Sequence, residues 1–231
     1  LAALDQTALG HVVDAWCNET LFLSRDRSIH SVLIFENKGA LMGNSNPHPH
    51  GQIWAQTSLP DLLRREGARQ RAFARKNGRG LLSVCLEQEE EEGERLVWSN
   101  ASFAIVVPFW AVWPYETLLI PRRPMASLVE MGAEERLDLA AALATLTRAY
   151  DRLFGVSFPY SAGIHQAPVN TPSQNFWHWH MHFFPPLLRS ASVRKYMVGY
   201  EMLAESQRDI CPEDSAARLR QRVAEVVETA P

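Results

Sequence analysis

The segment Pro47-His48-Pro49-His50 constrains the fold of this chain most, because a proline precedes each of its two histidines. Proline fixes its own φ and favours an extended conformation for the residue before it. Side chains two residues apart on an extended chain point to the same face. The segment therefore predicts that His48 and His50 lie side by side, with Gln52 continuing the same face. A rigid imidazole beside hydrogen-bond donors suits nucleophilic attack on a phosphorus centre.

Apolar spacing and breaker residues predict both helices and strands in the first part of the chain. The elements are a helix over residues 5–24, a strand over 31–35, a loop over 36–49, a strand over 52–56 and a charged helix over 61–76. The charged helix is expected to end at Asn77-Gly78. The acidic run over residues 87–94 is expected to be a solvated turn or helix end.

The second part of the chain repeats a pattern of strand, loop and strand, with histidines on the second strand. Its predicted strands cover residues 96–98, 103–107, 117–120, 160–165 and 177–184, and its predicted helices cover residues 134–154, 200–208 and 214–227.

A second histidine group, His178, His180 and His182, alternates with large apolar residues. On a strand this spacing places three imidazoles on one face. His165, from a neighbouring strand, and Glu66, from the charged helix, could join them around one metal ion. The same spacing also fits a polar or phosphate-binding face without a metal, so both interpretations stay open at this point.

Composition limits the classes of function. A chain of 231 residues forms one or two domains, and its net charge of −3 does not favour nucleic-acid binding. The isolated Cys17, Cys85 and Cys211 indicate neither a disulfide framework nor a thiolate zinc site. We find no signal peptide and no apolar run long enough to span a bilayer. The composition predicts a cytoplasmic protein with neither nucleic acid nor membrane as a partner.

Seven segments carry a family resemblance: Glu36–Gly43, Ser45–Trp54, Val107–Trp110, Tyr115–Pro121, His165–Pro168, His180–Ser190 and Val198–Glu205. They resemble the galactose-1-phosphate uridylyltransferase family of the histidine-triad superfamily. The resemblance implies an α+β fold of two histidine-triad-like halves, each an antiparallel sheet with flanking helices. Residues 1–94 would be the C-terminal part of the first half, and residues 95–231 the second half with C-terminal helices. The chain starts at Leu1 without an initiator methionine, so we expect N-terminal truncation.

The resemblance implies that His50 attacks the α-phosphorus of UDP-glucose. Glucose 1-phosphate would leave, and galactose 1-phosphate would then take the UMP group from His50 to give UDP-galactose. Gln52 and Ser45 would donate hydrogen bonds to the phosphoryl oxygens, and Asn37 would contact the nucleotide. Hydrolase relatives carry a histidine in place of Gln52, so the amide favours transfer over hydrolysis.

Further substrate contacts are implied near the C-terminus. Lys195, Tyr196, Tyr200, Glu201 and Gln207 match positions that bind the hexose phosphate. In the family this segment reaches the active site of the other subunit, so a homodimer is implied. Residue type alone fits an ordinary charged surface equally well.

The resemblance also implies two metal sites. Glu66, His165, His180 and His182 match a second site, thought to be structural, that holds iron or zinc, and His178 is not part of it. His48 matches a zinc ligand of the first site, whose partners are missing from this chain. Asn44 stands where many relatives have a cysteine. His48 could instead serve to orient His50.

Two alternatives remain at the level of the sequence. One is a dinucleotide phosphorylase or hydrolase of the same superfamily. The other is a truncated, non-catalytic copy that folds and binds metal.

Overall fold

The structure is a computed structural model that describes residues 1–44, 48–172, 175–186 and 199–229. Its helices are α1 (Gln6–Leu23), α2 (Asp61–Asn77), α3 (Leu81–Glu92), α4 (Ala133–Leu153), α5 (Tyr200–Leu203) and α6 (Pro212–Glu228). Its strands are β1 (Ser31–Lys38), β2 (Gly51–Gln56), β3 (Leu96–Ser99), β4 (Phe103–Val106), β5 (Thr117–Pro121), β6 (Tyr160–His165) and β7 (His180–Phe184). Short 3₁₀ turns cover Ala40–Met42 and Leu128–Glu130.

All seven of these strands form one antiparallel sheet in the order β2-β1-β6-β7-β5-β4-β3. The predicted α+β class is confirmed. Residues 1–94 contribute β1 and β2, and residues 95–231 contribute the other strands. The predicted division into two halves stays a prediction, and both segments contribute to the same sheet.

The sheet has two covered faces of different size. Alternate strand residues such as Ile34, Ile105 and Met181 pack with α1, α4 and α6 in the main core. Burial of each large apolar side chain stabilises the fold by about 1.5–3 kcal/mol. On the opposite face, α3 covers a smaller cluster of Leu82, Leu86, Ala104, Val106, Leu118 and Ile120. The predicted functional side chains lie on this second face.

The chain contains the same unit twice, a helix followed by a strand, a loop and a second strand. The first unit is α1-β1-β2 and the second is α4-β6-β7. β1 and β6 pair antiparallel at the junction of the two units, so β2 and β7 occupy equivalent outer positions. The predicted recurrence of strand, loop and strand is confirmed. The two histidine segments therefore occupy corresponding places in the two units.

Strand β7 is shorter than predicted and begins at His180. The backbone N–H of His178 donates to Oε1 of Gln70 at 3.0 Å, and that of Trp179 donates to the Met125 carbonyl at 2.8 Å. Because these donors are used outside the sheet, residues 177–179 do not join it. The expectation of three imidazoles on one strand face is therefore wrong for His178.

One further helix and one side chain differ from the sequence prediction. The predicted helix over residues 200–208 is helical only over Tyr200–Leu203. The acidic run is the end of a helix rather than a turn, since Glu87–Glu92 close α3, and most of its side chains are exposed as predicted, with Glu89 the exception. Glu89 is buried and pairs with the guanidinium of Arg95 at 2.9 Å. The ion pair with Arg95 thus allows Glu89 to be buried, and sequence periodicity does not reveal this pairing.

Candidate active site and metal cluster

The predicted nucleophile His50 directly precedes β2 and is half-buried. Its ring lies 5.8 Å from that of His48, centroid to centroid, so the predicted proximity of the two imidazoles is present. Nδ1 of His50 lies 3.2 Å from the carbonyl oxygen of His48. A carbonyl only accepts, so this contact assigns the proton to Nδ1. Neutral His50 then carries its lone pair on Nε2.

Gln52 is exposed and lies two residues beyond His50, opposite Phe35 in the register of β1 and β2. Oε1 of Gln52 accepts a hydrogen bond from Nε1 of Trp54 at 3.1 Å. Gly51, which lies between His50 and Gln52, allows β1 to approach the backbone closely. A Cβ there would stand 3.2 Å from the Phe35 carbonyl oxygen.

Asn37, the predicted nucleotide contact, is half-buried near the end of β1. Its Oδ1 accepts a hydrogen bond from Oγ of Ser161 at 2.6 Å. The register pairs Glu36 with Gly51, so its continuation brings Asn37 opposite His50. Asn37, His50 and Gln52 therefore share one face of the sheet. Ser45, the other predicted phosphoryl donor, lies outside the described residues.

Glu66, His165, His180 and His182 form a compact cluster whose potential ligand atoms all lie within 4.8 Å of one another. Oε2 of Glu66 lies 2.8 Å from Nδ1 of His165 and 3.5 Å from Nε2 of His180. Oε1 of Glu66 lies 3.7 Å from Nε2 of His182. The structure thus brings together all four residues predicted from sequence.

Helix α2 supplies Glu66, and Gly67 of the same helix allows it to pack closely against Trp177. A Cβ at Gly67 would stand 3.0 Å from Cζ2 of Trp177, so a larger residue would push the helix away. Strands β6 and β7 supply the histidines, and their register places His165 opposite His180. The four side chains therefore come from a helix and two paired strands.

Burial and the close packing of the four side chains set the protonation of the cluster. Burial alone would raise the pKa of Glu66, but the neighbouring imidazoles of His165, His180 and His182 lower it well below its usual range. Burial lowers the pKa of His182 to about 4, which favours the neutral imidazole. Neutral imidazole and carboxylate are the forms that bind a metal ion.

The donor set fits a metal ion for two further reasons. Both ring nitrogens of His182 are buried without a hydrogen-bond partner. Nδ1 of His180 donates to the His178 carbonyl at 3.0 Å, so the lone pair of neutral His180 is on Nε2, toward Glu66. Two electron-pair donors that face each other require a cation or a proton between them. A hydrogen bond from the ring nitrogen that faces away from the ion orients a metal-ligating histidine.

His178 lies apart from this cluster. Its Nε2 donates to the Pro121 carbonyl at 2.6 Å, and its Nδ1 lies 3.3 Å from Oγ of Ser83. Both nitrogens are thus engaged elsewhere, in agreement with its exclusion from the predicted ligand set. His48, the predicted first-site ligand, is exposed and lies outside the only group of three or more potential ligands found among the described residues.

The C-terminal substrate contacts are described only in part. Lys195 and Tyr196 lie outside the described residues. Tyr200 is exposed and its hydroxyl donates to Glu205 at 3.1 Å, while Glu201 is half-buried and Gln207 exposed. Arg208 donates to the Phe109 carbonyl at 2.7 Å and its guanidinium lies 5.6 Å from the Phe109 ring. The structure does not bring this segment to His50 through any of these contacts.

Sequence reasoning missed Trp54 as a member of the candidate active site. The signal was present, because Trp54 continues the alternation of His50 and Gln52 along β2. Its role depends on one hydrogen bond between side chains, which residue spacing does not reveal. None of the helices in the described part of the chain is long and apolar enough to cross a membrane.

Comparisons with known proteins agree with this architecture. Residues 1–60 match the family described as galactose-1-phosphate uridyl transferase, N-terminal domain, and residues 66–230 match its C-terminal domain. The galactose-1-phosphate uridylyltransferase of Neurospora crassa is 52% identical over 201 residues, covering 85% of this chain and 51% of the relative. That of Rattus norvegicus is 50% identical over 212 residues, covering 90% of this chain and 55% of the relative.

Solved structures share the fold. One described as the structure of uridylyltransferase superposes with a TM-score of 0.90 at 30% identity, covering 97% of this chain and 70% of that chain. An ADP-glucose phosphorylase from Arabidopsis thaliana shows the same fold, with a TM-score of 0.81 at 21% identity, covering 95% of this chain and 68% of that chain.

The single sheet, its two repeated units and its two histidine segments define a uridylyltransferase-like fold. The chain belongs to the galactose-1-phosphate uridyl transferase family. It spans about half the length of the curated relatives reported above.

Proposed function

We propose that this chain carries the transfer chemistry of a nucleotidyltransferase that exchanges UMP between UDP-glucose and galactose 1-phosphate. Nε2 of His50 attacks the α-phosphorus of UDP-glucose, a P–N bond forms, and the bond from phosphorus to the bridging oxygen breaks. Glucose 1-phosphate leaves with that oxygen. The phosphate oxygen of galactose 1-phosphate then attacks the same phosphorus, and UDP-galactose leaves His50.

The contact between Nδ1 of His50 and the His48 carbonyl is the observation that carries this proposal. It holds the proton on Nδ1 and leaves Nε2 as the nucleophile. Pro49, between the two histidines, fixes its own φ and so restricts how they can move relative to each other. His48 serves as a positioning residue in this account, whether or not it also binds zinc in a longer protein.

Asn37 and Gln52 surround His50 with polar groups on one sheet face. Phosphoryl transfer needs donors for the charge that spreads over the phosphoryl oxygens. The Gln52 amide supplies such a donor but does not accept a proton from water near neutral pH. The amide therefore favours transfer to a sugar phosphate over hydrolysis. Ser45 is proposed as a second hydrogen-bond donor to the phosphoryl oxygens.

The hexose phosphate is proposed to contact Lys195, Tyr196, Tyr200, Glu201 and Gln207 of a second copy of the chain. Arg208 anchors this segment to Phe109, which follows β4. β4 lies five strands from β2 in the sheet, a separation of roughly 24 Å at about 4.8 Å per strand. The exposed Met202 and Leu203 provide apolar surface for an interface. These features support a homodimer.

The cluster of Glu66, His165, His180 and His182 is proposed to hold one zinc or iron ion that stabilises the fold. Imidazole and carboxylate ligands suit both metals. All four ligands come from the protein, as in structural sites. A cytoplasmic location, expected from the sequence, stays a prediction.

Uridylylation of His50 tests the proposed function. The purified chain is incubated with UDP-glucose labelled in the uridine, and the protein is separated from free nucleotide. We expect label on the protein, its release as UDP-galactose on addition of galactose 1-phosphate, and no label on His50→Asn. His11→Asn, a change at an exposed histidine of α1, is the matched control. Release of the label by inorganic phosphate would favour a dinucleotide phosphorylase, and release by water alone would favour a hydrolase. Equal labelling of His50→Asn would contradict the proposal.

A further inference from the structure

Trp54 places its only polar atom on the side chain of Gln52. Nε1 of Trp54 donates to Oε1 of Gln52 at 3.1 Å. Both residues lie on β2, two positions apart, so both project from the same face of the sheet. The Trp54 side chain is otherwise well exposed, at 53%. This exposed aromatic residue thus donates its one side-chain hydrogen bond to a neighbour in the candidate active site.

The chemistry of the two groups fixes the orientation of the amide. An indole N–H only donates, whereas an amide offers an acceptor oxygen and a donor NH₂ group on opposite sides. The Gln52 amide must therefore turn its oxygen toward Trp54. Its NH₂ group then points away from the indole and is free of that contact.

This orientation is the one that a phosphoryl group requires. Phosphoryl oxygens only accept hydrogen bonds, so the NH₂ group of Gln52 must face them. A flipped amide would direct its carbonyl oxygen at the negatively charged oxygens. The indole of Trp54 excludes the flipped state, because it would then face the NH₂ group and two donors would meet.

Trp54 is itself held in place by β1. Its ring meets that of Phe35 edge-on, with centroids 5.5 Å apart and an interplanar angle of 77°. Aromatic pairs prefer this arrangement. Among the described residues β2 is an edge strand, so β1 is its only neighbouring strand. The contact with Phe35 of β1 therefore restricts the position of the indole.

We propose that Trp54 is a positioning residue that locks the Gln52 amide with its NH₂ group toward the phosphoryl oxygens. The proposal rests on the proposed function for its catalytic consequence, but the hydrogen bond itself is independent of it. Phe35 supports the indole, Trp54 orients Gln52, and Gln52 contacts the substrate.

Nuclear magnetic resonance tests the hydrogen bond without any activity. The indole N–H signal of Trp54 is identified by its loss in Trp54→Phe. In Gln52→Ala the hydrogen-bond acceptor is gone, so we expect this signal to move upfield while the other indole signals stay in place. An unmoved Trp54 signal would overturn the proposal at its first step.

Kinetics test the consequence. Phenylalanine keeps the ring against Phe35 but removes the donor, so we expect Trp54→Phe to lower the rate of His50 uridylylation about tenfold at saturating UDP-glucose. The KM should change less than about twofold, because orientation matters most when charge develops on the phosphoryl oxygens. Trp110→Phe, at an exposed tryptophan outside β2, is the matched control.

A double-mutant cycle separates positioning from a general structural role. If Trp54 acts through Gln52, Trp54→Phe has no further effect on uridylylation in a Gln52→Ala background. An additional tenfold loss in that background would contradict the proposal, as would an unchanged rate in Trp54→Phe alone. Absence of labelling in the wild-type chain, together with the expected movement of the indole signal, would overturn the proposed function and support the orientation of Gln52.

Discussion

Gln52 and His182 lie in the same row of the sheet, three strands apart. Gln52 pairs with Phe35, Phe35 with Gly163, and Gly163 with His182. At a strand spacing of about 4.8 Å, the two residues are roughly 14 Å apart. The candidate active site and the metal cluster therefore share one face without sharing a contact through this row. An ion held by His182 would therefore not contact Gln52 directly.

The metal cluster should bind one ion and contribute to stability. His182→Ala removes a half-buried ligand, so we expect it to abolish stoichiometric metal binding and to lower the melting temperature by roughly 10 °C. That shift corresponds to about 4 kcal/mol, the contribution of a ligand present at about 1,000 times its Kd. Elemental analysis and thermal unfolding of the metal-loaded chain measure both effects, with His11→Ala as the control. Full metal content in His182→Ala would show that the ligand set is wrong.

Gln52→His should shift the reaction from transfer toward hydrolysis. Imidazole accepts a proton near neutral pH and an amide does not, so histidine can activate water at this position. We expect UMP to accumulate faster, relative to UDP-galactose formed, when galactose 1-phosphate is limiting. The ratio of the two products is the measurement, since the larger ring can slow both steps. An unchanged ratio would mean that Gln52 does not select the acceptor.

Arg95 should be essential for stability because it neutralises a buried carboxylate. Its guanidinium contacts Glu89 at 2.9 Å, Glu92 at 2.9 Å and Glu213 at 3.0 Å. Arg95→Met leaves Glu89 buried and unpaired, so we expect a loss of about 3–5 kcal/mol in the free energy of unfolding. Glu89→Gln in the same chain should recover part of the loss. Denaturant unfolding measures the free energy of unfolding of the single and double variants. A double variant as unstable as Arg95→Met would contradict the explanation.

Sequence patterns predicted most of the fold, because long amphipathic helices and alternating strands are local signals. The predicted strand over residues 160–165 agrees with β6, and the predicted first helix agrees with α1 to within one residue at each end. The start of β7 could not be predicted, because it depends on Gln70 and Met125 taking the donors of residues 178 and 179. These partners are distant in sequence.

The candidate site was predictable to a similar extent. Spacing and resemblance together identified the four residues of the metal cluster, which the structure places within reach of one ion. The orientation of Gln52 by Trp54 was not predictable, because it depends on which end of an amide meets an indole. The burial of Glu89 was not predictable either, because composition marks an acidic run as solvated and does not reveal the pairing of Glu89 with Arg95.

Glu116 should make stability depend on pH. Burial raises the pKa of its carboxyl, although the backbone N–H groups of Val112 and Trp113, which contact it at 3.0 and 3.3 Å, partly oppose the rise. A pKa higher in the folded state means that the folded protein holds this proton more tightly. Its stabilising contribution is therefore present below the unfolded pKa and lost as the pH rises through the folded value.

Glu116→Gln removes this titration while keeping an oxygen that accepts from both N–H groups. We expect the stability of the variant relative to wild type to increase as the pH rises from 4 to 7. Unfolding free energies at several pH values give the comparison, and Glu134→Gln, at an exposed site in the first turn of α4, is the control. A difference that falls over this range would contradict the assigned direction.

The identity of the uridylylated atom tests the account most directly. The chain is mixed with UDP-glucose in the absence of galactose 1-phosphate, digested under mildly alkaline conditions that preserve phosphohistidine bonds, and mapped by peptide mass spectrometry. The account predicts one uridylyl group on the peptide that carries His48 and His50, with fragmentation assigning it to His50 and acid removing it. A uridylyl group on any other residue, or an acid-stable one on this peptide, would contradict the assignment of His50 as the nucleophile.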